Sequence, residues 1–297
     1  MDLMIANQKS LRNLTVLIIG AGPAGLSAAI QLERYGIDYI IIEKNKAGGL
    51  LLNAEKVVNY PGFPHGVKGT ELAKLFTSQV QIRKIIKDEV IKTGYREKYF
   101  ETRTKLSNYK SEYLIIASGT NPRNTNVIIN KSAEKKVYYD VINLSHHKGK
   151  TFAISGSGDA AFDYALTLSK YNKVIIYNRA DKIKCLKKLY DRALQDNNIK
   201  YVKNISVLKA FASGNGLALT LSNNNRIVVS YFVIAAGREP ALDFINSDKE
   251  LENLIKSNRL CIIGDVVNGI YRQVSIAAGQ GIKAAMEIYY QLNKENN

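Results

Sequence analysis

At 297 residues, 46% hydrophobic and 23% charged, the chain has the composition of a folded protein with room for two domains, which excludes a disordered or fibrous repeat. Its 42 Lys and Arg against 26 Asp and Glu give a formal net charge of +16. No helix-turn-helix, RNP or zinc-finger pattern accompanies that charge, so nucleic acid is not an expected partner. Two cysteines (Cys185 and Cys261) and three histidines (His65, His146 and His147) are too few and too scattered for a disulfide scaffold or a metal centre.

Residues Met1 to Asn13 show no apolar export segment and no small-residue cleavage site, so a cytoplasmic protein is expected. A strand-like run, Leu14 to Ile19, leads into Gly20-Ala21-Gly22-Pro23-Ala24-Gly25 and a helix-like Leu26 to Leu32. Pro23 and three glycines make this stretch a poor membrane span, and no membrane association is expected. The first two glycines allow a tight turn and close approach to a pyrophosphate, and the third lets helix and strand pack closely. The helix N-terminus offers unpaired N–H groups to the phosphates. A second strand, Tyr39 to Ile42, ends in Glu43, 21 residues after Gly22, where an acid accepts hydrogen bonds from a ribose diol. The reading is an adenine-dinucleotide site.

Farther along come Gly48-Gly49-Leu50-Leu51 and the turn Val58-Asn59-Tyr60-Pro61-Gly62-Phe63. The pattern predicts a helix over Thr70 to Ile86 capped by Thr70, and a β-hairpin region from Lys98 to Lys110. Tyr113 to Thr120 reads as a buried strand ending in the small-residue turn Ala117-Ser118-Gly119, and Tyr231 to Arg238 repeats that pattern. These two returns mark domain crossings. The expected fold is α/β, with two Rossmann-like three-layer domains: an NAD(P)-binding-like domain over 122–240 inserted into an FAD-binding domain made of 1–121 and 241–297.

Within the inserted part a second fingerprint, Gly156-Ser157-Gly158-Asp159-Ala160-Ala161, follows the strand Thr151 to Ser155. The same 21-residue count from Gly158 reaches Arg179, with Lys182 and Lys184 beyond and no carboxylate for a ribose diol. That chemistry suits a 2′-phosphate, so NADP is favoured over NAD, with a solvated basic face as the alternative. Cys185 lies among lysines, a setting that can lower a thiol pKa, with an incidental exposed thiol as the alternative. Near the end, Arg259 to Asp265 is a strand finishing in a carboxylate, placed to bond the ribityl hydroxyls of a flavin, and Gln273 to Leu292 reads as a helix whose positive end would face the ring. The plainer alternative makes Asp265 a turn former and Gln273 a helix-start residue.

The pieces Gly20-Ala-Gly-Pro-Ala-Gly25, Val58-Asn-Tyr-Pro-Gly-Phe63, Ala117-Ser-Gly-Thr120, Gly156-Ser-Gly158, Gly264-Asp265 and Tyr271-Arg-Gln-Val274 together resemble thioredoxin reductases of the low-molecular-weight FAD-dependent type, over nearly the whole chain. The resemblance implies a homodimer and a nucleotide domain that rotates relative to the flavin domain. It assigns to FAD the residues Gly20, Gly22, Pro23, Ala24, Gly25, Glu43, Gly49, Leu50, Asn59, Ala117, Gly119, Gly264, Asp265, Arg272, Gln273 and Val274. To NADPH it assigns Gly156, Gly158, Asp159, Ala160, Arg179 and Lys184. No catalytic side chain and no metal ligand are assigned.

The departures are chemical. The family's Cys-x-x-Cys dithiol corresponds here to Asp140-Val-Ile-Asn143, and neither side chain exchanges with a disulfide. The glutamine usual after the Gly-Gly turn is Leu50, and the basic grip on the 2′-phosphate is about half kept. The expected activity is an FAD-dependent oxidoreductase that passes electrons from NADPH, or another donor, to an external acceptor. Three alternatives stand beside it: a flavin-binding redox sensor with little turnover, a ferredoxin- or flavodoxin-NADP reductase-like enzyme, and disulfide reduction through Cys185. The positive charge suits an acidic electron carrier (a ferredoxin, flavodoxin or thioredoxin-like protein) or is simply compositional bias. An acid–base role for Asp140, His146 or His147 is left open beside the plainer one of solvated loop residues.

Overall fold

A computed structural model describes residues 12–246 and 249–295. The stretch 1–11, on which the reading of no export segment largely rests, lies outside the described residues. In chain order the elements are β1 (Arg12–Ile19), α1 (Pro23–Arg34), β2 (Tyr39–Glu43), α2 (Gly69–Thr77), β3 (Ile85–Lys87), β4 (Val90–Arg96), β5 (Tyr99–Thr104) and β6 (Asn108–Ile116). Next come β7 (Thr120–Pro122), β8 (Ile128–Ile129), β9 (Val137–Tyr138), β10 (Thr151–Ser155), α3 (Asp159–Ser169), β11 (Lys173–Tyr177), α4 (Lys187–Leu194) and β12 (Ile199–Val202). The chain finishes with β13 (Val207–Ser213), β14 (Gly216–Leu221), β15 (Arg226–Val229), β16 (Tyr231–Ile234), β17 (Arg238–Pro240), α5 (Lys249–Lys256), β18 (Leu260–Ile262) and α6 (Val274–Glu295).

Two compact units result. The outer one holds 12–52, 58–120 and 240–295 of the described residues; the inner one holds 53–57 and 121–239. The sequence reading grouped 53–57 with the outer part, but these five residues cluster with the inner unit. Long-range bonds explain it: the Glu55 carboxylate accepts from Lys170 (2.9 Å) and Arg192 (3.0 Å), and the Glu55 N–H donates to Asp163 Oδ2 (3.2 Å). β7 and β17, where the chain leaves and rejoins the outer unit, pair with each other.

In the outer unit the sheet runs β3-β2-β1-β6-β5-β4, and β18 also pairs with β6. The first part of β6 bonds antiparallel to β5, and its last residues, Leu114–Ile116, bond parallel to β18. Apolar runs such as Leu17-Ile18-Ile19 suit strands covered on both faces. Leu17, Ile18, Leu26 and Leu32 are fully buried, each worth about 2 kcal/mol of transfer free energy. Helices α1 and α6 cross so closely that a Cβ on Gly281 would lie 2.2 Å from the Ala24 carbonyl oxygen.

The helix expected over Thr70 to Ile86 is shorter and starts earlier, with Lys68 rather than Thr70 as its N-cap. Thr77 and Ser78 hydroxyls and the Gln79 amide bond back to the Ala73 and Leu75 carbonyls, competing with the helical ladder and closing α2. Ile85 and Ile86 instead extend the sheet beside β2. The expected hairpin is a three-stranded meander, β4-β5-β6, whose first turn places Glu97 and Lys98 at φ 51° and 70°. Two left-handed residues match the twist of a tight hairpin, but without Asn or Gly they carry no sequence signal.

In the inner unit a parallel sheet, β12-β11-β10-β16-β9, packs α3 and α4 against one face. A four-stranded sheet, β15-β14-β13-β8, covers the other. Phe152 and Ile154 fill the helical side, while Ala153, Phe232 and Ile234 meet Leu217 and Leu219 between the sheets.

Candidate functional site

The outer glycine turn is built by backbone contact. A Cβ on Gly20 (φ +101°) would lie 2.4 Å from the Ala117 carbonyl oxygen, and one on Gly25 would lie 2.0 Å from the Gly20 carbonyl oxygen. No larger residue fits either place. Gly22 is different: a Cβ there meets nothing within 4 Å, so its smallness leaves room beside the N-terminus of α1 rather than serving internal packing. Pro23 opens that helix and no acid stands in its first turn, which leaves the positive helix end uncompensated by side chains.

Glu43, at the end of β2, is buried and accepts from Ala21 N–H and Asn45 N–H, each at 2.7 Å. Each carboxylate oxygen retains a second acceptor site for a diol. The Gly48 N–H donates to the Ala21 carbonyl (2.7 Å), and a Cβ on Gly49 would stand 3.2 Å from Gly22 Cα, so Gly49 and Leu50 lie against the same turn. The Ala117 N–H donates to the Ile19 carbonyl (2.8 Å) at the end of β1, and a Cβ on Gly264 would lie 2.8 Å from Ala24 Cβ. Gly20 through Gly25, Glu43, Gly49, Leu50, Ala117 and Gly264 are thus brought together.

The other end is marked by Asn59, whose amide donates to Gln273 Oε1 at 2.8 Å, just before α6. The first turn of α6 carries no acidic residue, and its Ala277 N–H bonds to the Gln273 carbonyl. Beside Gln273, the Arg272 Nε is buried with no protein acceptor. An orphaned cationic donor, a cradle that Cβ atoms would fill and a buried acid at the second strand end fit an anionic dinucleotide such as FAD. Sequence reasoning missed Gln280, which accepts from Gly264 N–H (2.8 Å) and exchanges hydrogen bonds with Asn268, so fixing the Gly264-Asp265 turn. A lone long polar side chain among Ala277, Ala278, Gly279 and Gly281 was the available signal.

In the inner unit a Cβ on Gly156 would lie 2.5 Å from the Ala235 carbonyl oxygen, while Gly158, capping α3, is open. Asp159 faces the neighbouring loop and accepts from Leu186 N–H (2.8 Å), and Lys184 N–H bonds to the Ser157 carbonyl (2.8 Å). These bonds hold the 179–186 loop beside the glycine turn. Arg179 and Lys184 are exposed there, with no carboxylate partner among the described residues. Asn178 instead turns inward, donating to Tyr201 Oη (2.9 Å) and the Lys182 carbonyl (3.1 Å).

The Cys185 thiol is pushed up, by burial first and then by Asp159, which corrects the expectation drawn from its lysine neighbours. Burial pushes Cys261, in β18, up to about 12. Asp140 closes its own turn by accepting from Ile142 N–H (3.3 Å), and Asn53 Oδ1 accepts from Val141 N–H (3.0 Å). His147 stacks on Tyr231 with ring centroids 4.6 Å apart and is held below its ordinary pKa by burial, His146 and Lys150. Asp163 was also missed. Burial, more than its neighbour Glu55, pushes its carboxyl up to about 6.

Comparison with known proteins places this geometry. The model of the family described as pyridine nucleotide-disulphide oxidoreductase matches residues 14–281. The chain is 27% identical to the thioredoxin reductase of Buchnera aphidicola subsp. Acyrthosiphon pisum, covering 94% of this chain and 97% of that protein. It is 28% identical to the bifunctional thioredoxin reductase/thioredoxin of Mycobacterium leprae over 92% of this chain, and spans only 64% of that protein's length. The T. acidophilum thioredoxin reductase superposes with a TM-score of 0.79 at 26% identity, covering 95% of this chain and 99% of that one. Lactococcus lactis thioredoxin reductase does so at 0.82 and 22%, with the same coverage. Among the described residues no helix is long and apolar enough to cross a membrane. With two Rossmann-like folds and a family match across most of its length, the chain belongs to the pyridine nucleotide-disulphide oxidoreductases, as a thioredoxin reductase-like, flavin-dependent enzyme of a family that uses FAD and NADPH.

Proposed function

We propose that this chain moves reducing equivalents from NADPH, through bound FAD, to an acceptor outside the chain, without a resident dithiol. The observation that carries the reading is the thiol inventory. On the family resemblance Asp140 and Asn143 correspond to the dithiol cysteines, and the two cysteines present are separate free thiols with raised pKa values. When bound, FAD supplies a ring that accepts a hydride and releases electrons singly or in pairs. The chain's own residues bind and orient. Gly20 through Gly25 and the α1 N-terminus hold a pyrophosphate, and Glu43 holds a ribose diol. Asp265, Asn59, Arg272 and Gln273 orient the flavin end, with Gly49, Leu50, Ala117, Gly119 and Val274 shaping its walls. Gly156, Gly158, Asp159 and Ala160 shape the nucleotide turn, while Arg179 and Lys184 grip a 2′-phosphate.

The acceptor in this reading is an acidic electron carrier of ferredoxin, flavodoxin or thioredoxin-like type, met by a homodimer in the cytoplasm. Ile282, Met286 and Tyr290, exposed and spaced four apart on α6, support a self-associating face. Two free thiols suit a reducing compartment. A second reading, a flavin-binding sensor with little turnover, is favoured by the inward turn of Asn178, which leaves the phosphate grip to Arg179 and Lys184.

Anaerobic mixing of FAD-loaded protein with NADPH or NADH decides between them. Rapid bleaching of the flavin band by NADPH, and weak bleaching by NADH, is the expected result. Bleaching by dithionite but by neither nucleotide would establish the sensor instead, and colourless protein that takes up no FAD on reconstitution would end both.

A further inference from the structure

We propose that the solvent face of the β4-β5-β6 meander is a docking surface for an acidic protein. The inference deepens the acidic-partner part of the reading above and rests on that part, not on the flavin chemistry. Residues 81–110 hold nine Lys and Arg against four Asp and Glu, and the structure shows how those acids are spent. Asp88 is buried and accepts from Thr104 Oγ1, Glu89 N–H and Leu106 N–H. Glu89 pairs with Lys105, and Glu97 with Arg96. Of the four, Glu101 is exposed and has no ion pair among the described residues. On the basic side Lys84 pairs with Asp38, while Lys87, Lys92, Lys98 and Arg103 have no carboxylate partner among the described residues.

Two of these cations are set against each other. Lys92 and Arg103 are cross-strand partners in the β4–β5 ladder, both exposed, and Arg103 faces Asn108 on its other side. Like charges directly opposite destabilise a sheet, so the pair lowers the stability of the unit that carries it. The register shifts between Val90 and Lys92, and Ile91 and Lys92 are both exposed in consequence. A bulge that re-aims two neighbouring side chains outward is a built feature. An anionic surface placed there relieves the repulsion that the free protein carries.

The same face argues for a protein rather than a nucleic acid. Its exposed aromatic, Tyr99, already has Lys110 over its ring at 4.3 Å, so it is not a free stacking platform for bases. Ile91 (40% exposed) and the nearby Leu106 (56%) supply apolar contacts beside the charges, a mixture typical of protein interfaces. Glu101 and Glu112 share the face toward its β6 side, and at the bulged end Glu89 is engaged by Lys105, so Lys92 and Arg103 are the uncompensated charges there.

The test uses the full chain and labelled poly-L-glutamate, read by fluorescence anisotropy at several salt concentrations. Lys92→Glu with Arg103→Glu should weaken binding about tenfold, whereas Lys74→Glu with Lys256→Glu, an equal change of net charge elsewhere, should weaken it by no more than about threefold. Equal losses in both double variants would overturn the proposal by showing a response to net charge alone. A single-stranded oligonucleotide or anionic vesicles bound more tightly than poly-L-glutamate through the same pair would overturn the choice of partner. The neutral pair Lys92→Gln with Arg103→Gln separates loss of binding from loss of fold: it should still weaken binding, with thermal stability equal to or above the parent. Flavin bleaching by NADPH is blind to this face, so the two proposals fail separately.

Discussion

The outer and inner units each turn a strand into a helix over a glycine pair, and their second strands end in a side chain that does the same local job. Glu43 accepts the N–H of Asn45, two residues on; Asn178 accepts the N–H of Ala180, also two residues on (3.1 Å). Both hold a loop in shape. They differ in what is left over. The Glu43 carboxylate also reaches the Ala21 N–H inside the glycine turn, so its charge stands beside that turn. Asn178 spends its amide on Tyr201 and Lys182, and charge passes to the exposed Arg179. On the proposed assignment, one frame reads two ribose chemistries, a free diol and a phosphorylated one, through a change at a single strand end.

The hardest way to break the comparison is at the glycines, which are not equivalent. Gly25→Val would drive a side chain into the Gly20 carbonyl, and we expect a loss of about 3 kcal/mol in the stability of the apo-protein by denaturant melting, with FAD retention lost as well. Gly22→Ala meets no atom within 4 Å at φ −77°, so the apo-protein should melt as the parent does. FAD retention should nevertheless fall, because the added methyl occupies the approach to the helix end. Equal melting losses in both variants would mean that the turn is merely packed, not shaped for a ligand.

The second prediction sharpens the contrast between strand ends. Arg179→Ala and Lys184→Ala should each raise the KM for NADPH about tenfold and leave that for NADH within about twofold, with flavin content unchanged. A parallel rise for both nucleotides would return these residues to the status of a solvated basic face.

Much of this was legible in the sequence because it is local. Gly25 answers the Gly20 carbonyl within its own turn, and Glu43 lies where one βα unit must end, so spacing alone reports both. The illegible parts are set by distance or by unusual backbone. Residues 53–57 join the inner unit through Glu55, whose partners Lys170 and Arg192 lie more than a hundred positions away. The Glu97-Lys98 turn uses left-handed residues that carry a Cβ. The end of α2 is decided by three side chains bonding back to the helix, which periodicity does not see. Cys185 shows the same limit: its sequence neighbours are cations, yet burial and Asp159 govern the thiol.

A third prediction concerns charge buried inside the inner unit. The Asp163 carboxyl has its pKa raised from 3.8 to about 6, chiefly by burial. The native state therefore binds more protons than the unfolded chain between those values, and stability falls as pH rises through that window. At pH 8 the ionised group costs up to about 3 kcal/mol, the limit set by the size of the shift. Asp163→Asn keeps an acceptor for the Glu55 N–H and removes the charge. It should raise stability by about 1–2 kcal/mol at pH 8 and change little at pH 4, measured by urea unfolding. A variant no more stable at pH 8 than the parent would show that Lys170 and Arg192 already neutralise the site.

The smallest expected effect is the most discriminating for the chemistry. Cys185→Ser with Cys261→Ser should leave NADPH-driven reduction of a one-electron dye within about twofold of the parent, since neither thiol belongs to a couple that takes two electrons. Both thiols have raised pKa values, Cys261 to about 12, so iodoacetamide should label the folded protein slowly at pH 8 and faster only on unfolding. Should dye reduction collapse in the double variant while flavin bleaching persists, electrons would have to leave the flavin by way of sulfur. That outcome would require a thiol relay, which the raised pKa values of both cysteines argue against.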